Sequence, residues 1–232
     1  MVLRKSQMTN KKAIAYVDGN NLYHGIIDHR NIPARGYTPF SEERPWGDLL
    51  WLNLESLIKS YNIPNVDLVK IKMFQAPSYK PESLTRQQIY HNALLSLDTM
   101  DNSCFFFGEF KAHNVQCHTC GTEHVDHIEK KTDVAMSTEI LSDFFLRNCD
   151  ATIIVGGDSD QMPVIEKLKS VDPKREIFAI FPPFRKSLDI YRILGDDHCW
   201  KIDYRRLLKN QFSTIVIVNG FNAEKPKEYQ RA

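Results

Sequence analysis

Apolar positions along this chain alternate between two periods. Ala13–Val17, Val66–Phe74, Ser103–Ala112, Ala151–Val155, Glu176–Phe181 and His198–Ile202 are short runs rich in β-branched or aromatic residues, which predict strands. Between them the apolar residues recur at helical spacing. Trp46–Tyr61 carries Leu49, Leu50, Leu52, Leu57 and Ile58; Lys131–Arg147 carries Val134, Ile140, Leu141, Phe144 and Phe145. Glu82–Leu97 follows Pro81, a residue suited to a first helical turn, and Ser187–Leu194 reads as a shorter helix. Leu22–Ile27 starts another. Strands alternating with helices predict an α/β fold with a mainly parallel sheet and right-handed crossovers. Glu123–Glu129 reads as the return strand of a hairpin. Asp28–Pro45, with Pro33, Gly36, Pro39 and Pro45, reads as a long irregular loop, a kind that is usually functional or mobile.

The pattern divides the chain into a mobile, charged leader (1–12), a main domain (13–205) containing the hairpin insert (113–129), and a C-terminal extension (206–232). In the extension, Phe212–Val218 is apolar enough to pair on an edge or contact a second subunit in a homo-oligomer, and Glu224–Ala232 reads as disordered. The main domain is long enough for one large core.

Composition narrows the function classes. A net charge of +1 gives no global basic field, so any nucleic-acid contact must use a local patch. No apolar run reaches the length of a membrane span, and the polar N-terminus MVLRKSQMTNKK lacks a signal core, so the expectation is a cytoplasmic protein without membrane contact. Five scattered cysteines do not form a disulfide framework; Cys104 and Cys149 read as small buried hydrophobes.

The chemistry gathers in ATIIVGGDSDQMPVIEKL (151–168). A strand gives way to Gly156 and Gly157, which let the chain turn, and then to Asp158, Ser159 and Asp160 at a helix start. Ligands of open α/β sheets bind beyond the carboxyl ends of the strands. Asp18 ends the first strand in the same way, and Asp133 opens the Lys131–Arg147 helix. Each has a plain alternative reading as a turn residue, a helix cap or a partner of the helix dipole. Together, four carboxylates repel unless a cation neutralises them, and hard oxygen ligands suit Mg²⁺ or Mn²⁺. That set points to metal-assisted phosphodiester hydrolysis. Lys111, Lys130, Lys131 and Arg185 are candidates to draw phosphates, and Tyr23 and Phe184 to stack on bases; Lys70 and Lys72 read as solvated. The absence of G-x-G-x-x-G after the first strand and of any G-x-S-x-G elbow argues against dinucleotide binding and serine-hydrolase chemistry. A Toprim-type domain would need Glu where Asp18 stands.

AYVDGNNL, EKKTDVAMSTEIL and VGGDSDQMPVIEKL, in that order, resemble the NYN domain family of the PIN-like nuclease superfamily, over roughly Ala13–Leu194. The resemblance implies a Rossmann-like three-layer sandwich and a metal-dependent ribonuclease acting on RNA. It implies that Asp18, Asp133, Asp158 and Asp160 surround Mg²⁺ or Mn²⁺, with Asn20 or Asn21 and Ser159 as polar supports. A non-catalytic RNA-binding or regulatory module keeping the fold is the alternative. Cys117-x-x-Cys120-Gly121 has the spacing of a zinc knuckle, with His113, His118, His124 and His127 to complete a Zn²⁺ site; the other reading is a reduced surface turn.

Overall fold

The computed structural model describes residues 10–28, 49–116 and 119–230. The irregular loop expected over 28–45 therefore lies almost wholly outside the described residues, as do the leader up to residue 9, Cys117, His118 and residues 231–232. Ten strands and seven α-helices occur among the described residues. In chain order they run β1 (Lys11–Asp18), α1 (Gly19–Asp28), α2 (Leu54–Lys59), β2 (Val66–Gln75), α3 (Pro81–Leu94), β3 (Phe105–Phe107), β4 (Glu109–Gln116) and β5 (Glu123–Lys130). There follow α4 (Thr132–Phe145), β6 (Ala151–Val155), α5 (Met162–Val171), β7 (Glu176–Phe181), α6 (Leu188–Leu194), β8 (Cys199–Lys201), α7 (Tyr204–Lys209), β9 (Ile215–Val218) and β10 (Phe221–Glu224).

Six strands form one sheet in the order β3-β2-β1-β6-β7-β8, every pair parallel. Both faces are covered. Ala13, Ala15 and Val17 of β1 pack with Leu22 and Ile26 of α1 and with Leu54, Leu57 and Ile58 of α2. The alternate residues Ile14 and Tyr16 pack with Met136 and Ile140 of α4 and with Val164, Ile165 and Leu168 of α5. Burial on both faces explains why the central strands are apolar throughout. From β1 the chain adds β2 and β3 on one side, then crosses to β6 on the other and adds β7 and β8 outward, so the winding reverses between β1 and β6; crevices at such switch points are where open α/β sheets bind ligands. No helix among the described residues is long and apolar enough to cross a membrane.

Several expectations change. The helix predicted over Trp46–Tyr61 shortens to α2, because the Asn53 side chain accepts from Ser56 N–H and starts the helix there. The preceding apolar residues serve another purpose: Leu52 pairs with Gln211, and buried Trp51 donates its indole N–H to the Ser213 carbonyl (2.7 Å). These bonds tie the C-terminal extension to the domain. The extension's β9 pairs with β10 in a hairpin of its own, and order continues past Glu224 through a 3₁₀ turn at Lys227–Tyr229, against the expectation of disorder there. The strand predicted over Ser103–Ala112 breaks at Gly108, where a Cβ would meet the Lys130 carbonyl oxygen at 2.6 Å. β3 stays in the main sheet, while β4 leaves it to pair antiparallel with β5.

Lys72 is not solvated. It is 8% exposed and its ammonium sits 2.7 Å from Asp143 and 2.6 Å from Glu139. Asp143 also accepts from the Tyr16 hydroxyl (2.7 Å) and from Asn148 Nδ2 (2.9 Å). This network fastens α4 to β1 and β2. The alternation that placed Lys70 and Lys72 on one face is right, but α4 covers only the inner part of that face.

Candidate active site

Asp18 is the last residue of β1, and α1 begins at the next residue. One carboxylate oxygen accepts the Asn21 amide (2.9 Å), so Asp18 caps that helix. Asp158 behaves alike beyond β6, accepting the Asp160 amide (3.0 Å) and opening a 3₁₀ turn, Ser159–Gln161. The capping reading of these aspartates is thus correct and compatible with a site: the cap bond fixes each carboxylate and leaves it a second oxygen. Asp133 stands in the first turn of α4. That helix opens from Lys131, which holds a left-handed backbone (φ 81) rare for a residue with a side chain.

Carboxylate oxygens of Asp133, Asp158 and Asp160 all lie within 4.8 Å of one another. Asp18 stands behind this trio. Its proton affinity is pushed up to about 7, first by burial and then by the charges of Asp133, Glu129 and Asp158; the Asn21 hydrogen bond opposes the rise. Asp133 is also pushed up, first by burial and then by Asp158, Glu129 and Asp160. These mutual effects mark one electrostatic site formed from the ends of β1 and β6 and the start of α4.

The two glycines act differently from the expected turn. Neither Gly156 nor Gly157 has a positive φ. Both permit close approach instead. A Cβ on Gly156 would lie 3.2 Å from Asp18 Cβ, and one on Gly157 would lie 1.5 Å from the Arg185 carbonyl oxygen. The Gly157 amide also donates to Asn21 Oδ1 (3.0 Å), joining the two acidic turns.

The remaining sequence-predicted residues divide. Asn20 and Asn21 both belong to the site: Asn21 bridges to Gly157, and Asn20 Nδ2 donates to Glu129 Oε2. Glu129 went unassigned, although it opens the EKKTD motif. Its other oxygen accepts the Thr132 hydroxyl (2.7 Å), which holds it beside Asp18 and Asp133. Ser159 is exposed in the 3₁₀ turn. Lys111 and Lys131 converge on Glu109 at 3.3 and 3.0 Å, forming a basic ridge with Lys130 at the base of the hairpin. Arg185 presses its backbone against Gly157, and its side chain passes near Gly25. Phe184 is exposed, with φ 59.

The CxxC turn is only half visible, because Cys117 and His118 lie outside the described residues. Cys120 is exposed, with Sγ 3.2 Å from Thr122 Oγ1. His113 and His124 lie on the paired strands, and His127 is stacked flat on Tyr79 at 3.7 Å between ring centroids.

A cavity of about 390 Å³, unrecognised in the sequence, opens beside the acidic turns. Gly19, Asn20 and Tyr23 of α1 line it, with Tyr79, Phe110, His127 and Tyr229. Its wall comes from six separate segments, and no local motif records such an assembly.

No protein-family model and no curated protein matches this sequence. Among solved structures, a protein of unknown function from Vibrio parahaemolyticus RIMD 2210633 is similar over 84% of this chain and 95% of its own, at 15% identity and a TM-score of 0.48.

Proposed function

We propose that this chain is a metal-dependent ribonuclease of the NYN type, within the PIN-like superfamily, hydrolysing RNA phosphodiester bonds at the carboxylate site. The observation that carries this reading is the gathering of Asp133, Asp158 and Asp160 at the sheet's switch point, with Asp18 coupled to them by charge and both Asp18 and Asp133 held above their ordinary proton affinity. Such a cluster is costly without a cation, and its all-oxygen donor set fits Mg²⁺ or Mn²⁺. When bound, such an ion stabilises charge on a phosphoryl oxygen and makes water more acidic.

The residues then have distinct tasks. Asp133, Asp158 and Asp160 would hold the cation. Asp18, largely buried behind them, would favour its charged form beside a bound cation and could add a fourth carboxylate. Asp160, exposed at the edge of the trio, could accept a proton from the attacking water. Asn20 and Thr132 orient Glu129, and Asn21 keeps the two acidic turns in register. Lys111, Lys130, Lys131 and Arg185 flank the site and draw the RNA backbone, offsetting the repulsion between phosphates and carboxylates.

The test is incubation of purified protein with single-stranded RNA, with Mn²⁺ and with chelator, beside Asp158→Asn. Cleavage that needs Mn²⁺ and is lost in the variant supports the reading. RNA binding without turnover, in a preparation free of other nucleases, would replace it with the binding-module alternative.

A further inference from the structure

Six segments close the cavity beside the acidic turns: α1, the stretch of Leu50 and Leu52 before α2, the end of β2 with the loop after it, α3, the β4–β5 hairpin and the C-terminal turn at Tyr229. Tyr79 forms the centre of one wall. His127 stacks parallel to it (3.7 Å between centroids, 6° between planes), and Phe110 meets it edge-on at 5.4 Å. The loop carrying Tyr79 is pinned at both ends of one amide: Ser78 N–H donates to Gln87 Oε1 (2.9 Å), and Gln87 Nε2 donates to the Ala76 carbonyl (3.1 Å). On the opposite side, the Tyr90 hydroxyl donates to the Leu52 carbonyl (2.8 Å). These bonds hold the aromatic wall in place before any ligand arrives. Tyr79 nevertheless remains 49% exposed.

The polar groups are few and placed. Gln75 has its carbonyl end 3.2 Å from His91 Nε2, and burial holds His91 down to about 4, so that ring is neutral. Gln75 lines the cavity, and its side-chain amide offers a donor that a base edge can satisfy. Lys80 lies against the Tyr79 ring, and Arg86 is held by Ser83 and Glu228, so cationic groups line the cavity as well. Asn20 lines the cavity and also bonds Glu129 of the acidic site, so the two are contiguous. Flat rings, an amide and flanking cations next to a phosphodiester-cleaving centre match one ligand class. An aliphatic ligand would leave the amide and the cations unused, and a purely anionic one would leave the rings unused.

We propose that this cavity binds one unstacked nucleobase of single-stranded RNA, with its ribose, against Tyr79. The choice of ligand rests on the ribonuclease reading. The site would make cleavage depend on an unpaired nucleotide near the scissile bond, because a base inside a duplex cannot enter the cavity.

The test is metal-free, so it is independent of turnover. The chelator-treated full chain is titrated with adenosine, guanosine, cytidine, uridine and ribose, followed by amide chemical shifts. At least one nucleoside should saturate, with shifts centred on Tyr79, Phe110, His127 and Asn20, and ribose should not. Tyr79→Ala should weaken that nucleoside about tenfold, as loss of one base-stacking ring does, while Tyr79→Phe and the remote Phe145→Ala should bind as wild type. No saturable shift with any nucleoside, equal binding of ribose, or unchanged affinity in a folded Tyr79→Ala would overturn the proposal. Failure to cleave RNA in the separate Mn²⁺ assay would remove the ribonuclease reading without altering these results.

Discussion

Replacing Asp18 by Asn should make the metal-free protein more stable, in a manner set by pH. Asp18 is largely buried, though not wholly shut from solvent, and its folded-state proton affinity is raised from the ordinary 3.8 to about 7. The folded state therefore holds a proton that the unfolded chain has already released, and stability must fall as pH rises. No cost exists below the ordinary carboxylate value; it grows through the window between that value and about 7, then levels off. At about 1.4 kcal/mol per pH unit, the accumulated cost reaches up to about 4 kcal/mol above neutrality. Asn keeps the oxygen that accepts the Asn21 amide, so the helix cap survives while the charge is removed. Urea unfolding of both proteins in chelator, from about pH 4 to about pH 8, reads the difference directly. The variant should match wild type at the acid end and exceed it at the alkaline end. A variant less stable than wild type, or a gain independent of pH, would refute the account of Asp18 as a buried, repelled carboxylate.

Other consequences are independent of that one. Adding Mn²⁺ at about 100 times its dissociation constant should stabilise wild type by about 2.7 kcal/mol in thermal or urea unfolding, and Asp133→Asn or Asp158→Asn should lose most of that gain. Because Asp18 must lose its proton to join the ligand set, cation affinity by titration calorimetry should strengthen from about pH 6 to about pH 8, with proton release; a flat profile would exclude Asp18 as a ligand. Gly157→Ala should cost about 3 kcal/mol in urea unfolding and disturb the acidic turns, since its Cβ would overlap the Arg185 carbonyl; a neutral substitution would contradict the tight approach. Lys72→Met should destabilise by about 3 kcal/mol, because Asp143 and Glu139 lose their cation, yet leave RNA affinity of the folded fraction unchanged; reduced RNA affinity would instead put Lys72 on the binding surface.

The sheet was legible because its strands are short apolar runs separated by helical periods, and the ends of β1 and β6 are marked by acidic turns. Asp18 and Asp158 are caps, as their plain reading has it, and the cap bond leaves each carboxylate a second oxygen, so capping does not exclude a metal. Where the sequence misled, tertiary contacts overrode local pattern. Leu49–Leu52 has helical apolar spacing, yet those residues bury against the chain near Gln211 and Ser213, more than 150 positions away. Gly156 and Gly157 suggest a turn, but what requires glycine is the approach of Asp18 and Arg185. Lys72 carries no sign in the sequence of the partners that bury it. Glu129 was unremarkable until Asn20 and Thr132 fixed it beside Asp18. The cavity was invisible for the same reason: its rings come from α1, the loop after β2, the hairpin and the C-terminal turn.

The central claim is that the carboxylates at the switch point place a divalent cation against a phosphoryl oxygen of RNA. It is tested most directly by cleavage of a single-stranded RNA in which one non-bridging oxygen of each cut linkage is replaced by sulfur. Sulfur binds Mg²⁺ poorly and Mn²⁺ better. The account predicts slow cleavage of the substituted RNA in Mg²⁺, recovery in Mn²⁺, and no recovery in Asp158→Asn. Cleavage at equal rates in both ions, or cleavage that persists in chelator, would contradict it.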